Sequence, residues 1–383
     1  MRRVIDDRDR KLAKLLVNYS TRVSKGDVVM VAVTGTDALP LAQACVEESL
    51  LAGAAPLLQF YDPLIQRVFI RDAREAAFQA VGKIELAMMK KVQVFIGIRG
   101  SDNPFELSGI PAPQLEAYSR FVTKPVHIEQ RVKRTRWVVL RYPNASMAQL
   151  AQMSSEDFAD FYYTACLVDY AKLRRGAEKL KKLMERTSRV RIVGPGTDLE
   201  LSIAGMPVIP CCGEMNIPDG ECFTAPRRSS VEGYVTFNAP TMWEGRPFEN
   251  ISLTFKKGKV ISATAATSEQ TQALEKILNR DAGGRYVGEF AIGFHPTIRK
   301  PMRDILFDEK IAGSFHVALG QCYDEAPNGN RSQIHWDLVC IQLSEYGGGE
   351  IYFDEKLVRK DGRFLLKELA DLNPPELRES ALG

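Results

Sequence analysis

Long apolar runs are missing from this sequence. None approaches the ~18 consecutive apolar residues of a membrane-spanning helix, and the first ten residues are charged throughout, with no apolar signal core behind them. Net charge is nearly missing too. The 51 basic and 48 acidic residues leave only +3, too little to make nucleic acid or an anionic membrane the main partner. A disulfide framework is equally out of place: Cys45, Cys166, Cys211, Cys212, Cys222, Cys322 and Cys340 form an odd, irregularly spaced set, which points to free thiols in a reducing compartment. The expectation is a soluble, cytoplasmic protein.

The usual short catalytic motifs are also wanting. There is no His-Glu-x-x-His helix, no Walker loop and no Gly-x-Ser-x-Gly elbow. His127-Ile128-Glu129 with Pro210-Cys211-Cys212 is a weak echo of a zinc deaminase, but Glu214 stands where the second cysteine belongs. Two basic runs remain, one at Arg131, Lys133, Arg134 and Arg136, the other between Lys172 and Arg189. The second is interleaved with Leu173, Leu180, Leu183 and Met184 at helical spacing, so its charges read as the solvated face of a helix.

What is present is ordinary globular material: 45% hydrophobic and 26% charged residues, enough for a large core in a chain of 383 residues. The first part alternates helix and strand. Leu12, Leu15, Leu16 and Tyr19 repeat at helical spacing over 6–24, Val28 to Val33 is strand-like, Pro40 opens a helix to about Leu51, and Ala55 to Tyr61 reads as a second strand. A helix from about Asp72 to Lys91 then leads into the apolar run at 92–98. Such alternation predicts an α/β domain with a mostly parallel sheet, over residues 1–188. From 189 to 383 short alternating strands dominate, at 190–193, 199–203, 231–237, 251–255, 260–265, 286–293, 314–320 and 335–343. One helix, at about 269–279, interrupts them, and the region predicts an α+β domain with a largely antiparallel sheet.

Histidine is scarce, so its company matters: His127, His295, His316 and His335 are the only four. In His335-Trp336-Asp337 the imidazole and the carboxylate are two apart, which on a strand places them on one face. His316 lies in the apolar run Ser314 to Gly320, where a lone histidine is often a satisfied core residue. Glu289 sits in the middle of the apolar run Tyr286 to Gly293, and a carboxylate buried there is costly unless paired or bound to a cation. Glu221 follows a turn-forming stretch. Together these make three carboxylates and two imidazoles, about the set required to hold two divalent ions. Such mixed N/O ligation suits Zn, Mn, Co or Fe.

Four segments carry a further signal: Pro218 to Pro226, Gly288 to Gly293, Phe315 to Gly320 and Ile334 to Asp337. In that order they resemble the metal-binding segments of the aminopeptidase T/aminopeptidase S family of metallopeptidases, and the resemblance runs nearly the full chain. It implies two divalent metal ions (Zn, Co, Mn or Mg) on Glu221, Glu289, His316, His335 and Asp337, with Tyr323 as the active-site tyrosine. It also implies a homodimer enclosing its active sites, a metal-binding C-terminal domain, and hydrolysis of the N-terminal residue of peptides. His295 stands where the family has asparagine and would add a ligand or proton carrier, while Cys222 and Cys322 flank the site. The competing expectation is a mononuclear Fe(II) ring-cleaving dioxygenase of the dihydroxypyridine type on the same fold, since His316, His335 and Asp337 also make a two-His-one-carboxylate set.

Overall fold

The computed structural model describes residues 5–375. Residues 1–4 and 376–383, the outer ends of the two expected domains, lie outside it. The chain divides into two compact units: residues up to Leu167 with Gly213–Ile217, and Val168–Cys212 with the remainder from Pro218.

The first unit is built on a parallel sheet. Its strands β1 (Val28–Thr34), β2 (Ala55–Tyr61), β3 (Val94–Arg99) and β4 (Arg136–Arg141) lie in the order β2-β1-β3-β4, and the short segment Asn216–Ile217 is added beside β4. Inner strands read as continuous apolar runs because helices cover both faces: five consecutive residues of β1 are buried, whereas β2 at the edge is largely open. The intervening helices start where sequence chemistry caps them. Asp6 accepts from Arg8 N and Asp62 accepts from Leu64 N and Ile65 N, with Pro63 in the first turn. An unforeseen element is a π-helix over Ser119–Val132.

The second unit holds an eight-stranded sheet that includes Arg189–Gly194, Thr197–Ser202, Glu232–Phe237 and Ile251–Lys256. It also holds a five-stranded antiparallel sheet. In chain order the strands of the latter are β5 (Ile209–Cys211), β6 (Glu221–Thr224), β7 (Val287–Gly293), β8 (Ser314–Gly320) and β9 (His335–Ile341), arranged β9-β8-β7-β6-β5. The basic helix Tyr170–Arg186 groups with this unit. Asp169 caps it by accepting from Lys172 N, Leu173, Ala177, Leu180 and Met184 bury its apolar stripe, and Lys172, Arg175, Lys179 and Lys182 are exposed. Its charges are therefore a solvated face, and it does not end the first unit, as the expected boundary at 188 would have it.

On the five-stranded sheet one face carries Phe290, Ile292, Phe315, Val317, Leu319, Trp336 and Leu338, all essentially fully buried. This apolar layer anchors the strands, and the opposite face carries the polar residues described below. A bulge between Val287 and Glu289 shifts the β7–β8 register, the usual device for re-aiming a side chain. Gly288 sits in that bulge, and a Cβ there would run into the carbonyl oxygens of Gln321 and Gly320. Gly288→Ala should therefore cost roughly 1–3 kcal/mol in chemical denaturation; a variant as stable as the wild type would show that the bulge is not sterically set.

Candidate metal centre

Strand alternation decides which side chains meet. Glu289, Ala318 and Asp337 are directly cross-strand partners on β7, β8 and β9. His316 and His335 each lie two residues from that row, on the same face. Ala291 pairs with Phe223, and Glu221 stands two residues before Phe223 on β6. All five candidate ligands thus project from one face of one sheet, though 116 positions separate the first from the last.

Their polar atoms converge. His316 Nε2 lies 3.4 Å from Glu289 Oε1, 3.6 Å from Glu221 Oε2 and 3.9 Å from Asp337 Oδ1. His335 Nε2 lies 3.3 Å from Glu289 Oε2 and 3.4 Å from Asp337 Oδ1. Two triads result, Glu221–Glu289–His316 and Glu289–His335–Asp337, each with ligand atoms within 4.8 Å of one another. Glu289 belongs to both.

The remaining bonds of these groups leave the inward atoms free. His335 Nδ1–H donates to the Gln321 carbonyl at 2.7 Å, which orients the ring so that Nε2 faces the cluster. Lys310 Nζ donates to Glu221 Oε1 at 2.6 Å, so that Glu221 Oε2 turns inward. Glu221 Oε2, His335 Nε2 and Asp337 Oδ1 are buried without a hydrogen-bond partner. Orphaned atoms of this kind are expensive in a folded protein, and as a donor set they suit a hard or borderline divalent cation.

Electrostatics make the same point. Burial alone would lower both imidazoles, but Glu289 and Glu221 raise His316 to about 9, and Asp337 and Glu289 lift His335 well above the usual histidine range. Burial would raise the acids, yet His316 and His335 hold Glu289 below its ordinary value, and His335 draws Asp337 down to about 2. The face is a concentrated negative field.

Tyr323 stands beside it. Its ring packs on His335 at 4.6 Å and on Phe223 at 5.4 Å. Although 44% of the residue is exposed, desolvation where it packs and the charges of Glu289 and Asp337 raise the pKa of its phenol, so it remains a protonated donor. The other flagged residues face elsewhere. His295 Nδ1 contacts Thr297 at 3.3 Å, and His295 enters none of the ligand groups among the described residues. Cys222 Sγ points to the Ala177 carbonyl at 3.5 Å, and Cys322 Sγ to that of Asn330 at 3.2 Å.

Sequence reading missed Glu309, Lys310 and Asp219. Glu309 groups with His316 and Asp337. Burial and the charges of Glu221 and Asp337 raise its pKa to about 8, against the lowering effect of Lys310. Lys310 is fully buried and also contacts Glu309 at 2.6 Å and Asp219 at 3.6 Å. Gly220 lets the chain pass close to His295, where a Cβ would meet its backbone at 3.0 Å, and so delivers Asp219 and Glu221 to this place.

A parallel α/β unit, together with an antiparallel sheet bearing buried acids and imidazoles, defines a protein with the equipment of a metal-dependent hydrolase. A family description of that class, thermophilic metalloprotease (M29), matches residues 5–364, and the chain belongs to this family. Among curated relatives, aminopeptidase PepS of Streptococcus thermophilus is 26% identical over 387 aligned positions, covering 86% of this chain and 91% of the relative. Aminopeptidase T of Thermus thermophilus is also 26% identical, with the same coverage. The solved structure of wild-type AmpT from Thermus thermophilus superposes with a TM-score of 0.78 at 22% identity, covering 95% of this chain and all of that one. The fold is also shared with 2,5-dihydroxypyridine dioxygenase of Pseudomonas putida, at a TM-score of 0.61 and 13% identity, covering 96% of this chain and all of that one.

Removing one side of a buried ionic cluster leaves unpaired charge behind, so Lys310→Met should cost about 3–5 kcal/mol in denaturant unfolding. Wild-type stability in that variant would mean that Lys310 does not compensate the acids.

Proposed function

We propose that this metalloprotease-family chain is an aminopeptidase that removes the N-terminal residue from peptides, with two divalent cations held by Glu221, Glu289, His316, His335 and Asp337. The observation that carries the reading is the pair of ligand triads that share Glu289, so that Glu289 would help to hold both ions. Charge count supports it. Five buried or half-buried acids (Asp219, Glu221, Glu289, Glu309, Asp337) face one ammonium, Lys310. Uptake of two divalent cations would displace the protons from the imidazoles and Glu309, and the balance of about −4 then left by five carboxylates and one ammonium would be equal and opposite to theirs.

When bound, such cations lower the pKa of a coordinated water towards ~7 and polarise a carbonyl. The chain's own residues supply the rest. Lys310 orients Glu221, the Gln321 carbonyl orients His335, and Glu309 offers a sixth ligand side chain, the fourth carboxylate. Tyr323 presents a protonated phenol that can donate to a developing oxyanion. The acidic face suits the free α-amino group of a peptide end.

The homodimer implied by the family resemblance and a cytoplasmic setting belong to this proposal, the latter supported by the irregular cysteine set. The mononuclear dioxygenase reading is not favoured. The family match is to metalloproteases, and Glu221 and Glu289 complete a second metal position that a single iron does not require.

The test is release of p-nitroaniline from Leu-p-nitroanilide with added Co, Mn or Zn, together with metal analysis. Turnover with about two ions per chain is expected; no release under any metal would sink the aminopeptidase reading, and one iron with oxygen uptake would favour the dioxygenase. Glu221→Ala and His335→Ala should lose turnover while keeping a native circular dichroism spectrum, and full activity in either would remove that residue from the ligand set. Tyr323→Phe should lower kcat roughly 10–1,000-fold, the scale of losing one oxyanion donor, and an unchanged kcat would remove that role.

A further inference from the structure

The first unit contains a cavity lined by none of the candidate metal ligands. Strand β1 has β2 on one side and β3 on the other, which makes the β1/β3 junction the point where the winding of this parallel sheet reverses. Open α/β sheets take ligands in the crevice outside the carboxyl ends of the strands at such a junction. Here the cavity, of about 490 Å³, reaches from the strand ends Thr34, Arg99 and Arg141 back along one face of the sheet to Gly97 and Phe95, and its volume is within the range of small-molecule pockets.

Its lining is cationic. Arg99 and Arg141 are the last residues of β3 and β4, and Arg131 reaches in from the π-helix. Thr123, His127 and Arg131 follow one another at a spacing of four, which a π-helix, wider than an α-helix, holds close to one line along its side. π-Helical turns are rare and are frequently found at functional sites.

Arg131 is the decisive residue. Only 9% of its surface is exposed. Its guanidinium is fixed over the rings of Trp137, at 4.6 Å, and Phe95, at 5.1 Å. Yet its Nε and Nη1 have no hydrogen-bond partner, and no acid pairs with it among the described residues. Stacking on aromatic faces recovers only part of the cost of burying a cation with two idle donors. Burial and the neighbouring Arg99 lower its pKa only to about 10, so it stays charged at neutral pH. His127 is lowered to about 4 by burial and by Arg131 and Arg99 and is neutral there. Glu106 also borders the cavity, but its carboxylate accepts from Asn103 Nδ2 at 2.9 Å.

We propose that this cavity binds a small organic anion, a molecule carrying a phosphate or carboxylate that the guanidinium of Arg131 pairs with while Arg99 and Arg141 add charge. A planar guanidinium fork matches either oxyanion. The volume beyond the oxyanion, walled by Phe95 and Tyr118, takes an apolar or aromatic body.

The test uses the full-length protein in calorimetric titration and thermal-shift assays with three probes: inorganic phosphate, adenosine 5′-monophosphate and N-acetylphenylalanine. At least one organic probe should bind wild type and His335→Ala alike, which separates this site from the metal centre. Its affinity should fall at least about tenfold in Arg131→Met, the scale of losing a charge-assisted pair. Without probe, Arg131→Met should unfold no earlier than wild type, because an unpaired buried charge has gone. If Arg131→Met does not fold, Arg99→Glu at the exposed strand end decides, with the same loss expected. The phosphate and carboxylate probes tell the two oxyanions apart. The proposal falls if no probe binds at about 10 mM, if binding survives the charge variant that folds, or if inorganic phosphate binds as tightly as both organic probes.

Discussion

The physical constraint on which the second unit depends is the burial of acids against a single face of a sheet. A carboxylate removed from water costs several kcal/mol unless its charge is met, and this face holds Glu221, Glu289, Glu309 and Asp337 with Asp219 beside them. Among the described residues Lys310 is the one lysine driven fully into the interior, where it meets them, and the two imidazoles are pushed towards protonation by the same field. Every other feature of the sheet works around that concentration of charge. The apolar face of Phe290, Phe315, Val317 and Trp336 locks the strands, and the bulge at Gly288 sets the direction in which Glu289 points.

Much of this was legible in the sequence because strand chemistry has a period of two. His335 and Asp337 had to share a face if they lay on a strand, and Glu289 stood out because an isolated acid in an apolar run has few ways to be satisfied. Those local facts did not say that three strands and a fourth would lie side by side in the register that makes the two triads overlap. Register is set by pairing across the sheet, by the Val287/Glu289 bulge and by turns, none of which leaves a periodic trace. The parallel sheet of the first unit was readable for the same reason as the antiparallel one: inner strands buried on both faces are written as continuous apolar residues, as in β1 and β3.

The elements that escaped have physical reasons for doing so. Asp308-Glu309-Lys310 is three consecutive charges, which reads as a solvated turn; only the fold reveals that Lys310 is enclosed by acids. The two-residue strand Asn216–Ile217 is too short to carry a pattern, yet it moves 213–217 into the first unit. The π-helix over Ser119–Val132 has no separate sequence signature from an α-helix, and its Pro125 argues against either. Tyr170–Arg186 was legible as an amphipathic helix but not as a member of the second unit, because the partner of its apolar stripe is defined only by the fold.

The two units thus pose the same electrostatic problem with opposite signs. In the second, excess acid is met in part by Lys310 and in part by whatever cations the orphaned atoms of Glu221, His335 and Asp337 accept. In the first, excess cation at Arg131 is met by aromatic faces, which hold the guanidinium in place without satisfying its donors. A buried lysine among carboxylates is explained by the residues around it. A buried arginine with two idle N–H donors is not, and the difference lies in geometry: rings hold the planar cation at its faces and leave two of its donors without partners. An oxyanion bound beside Arg131 would supply the counter-charge that the rings do not.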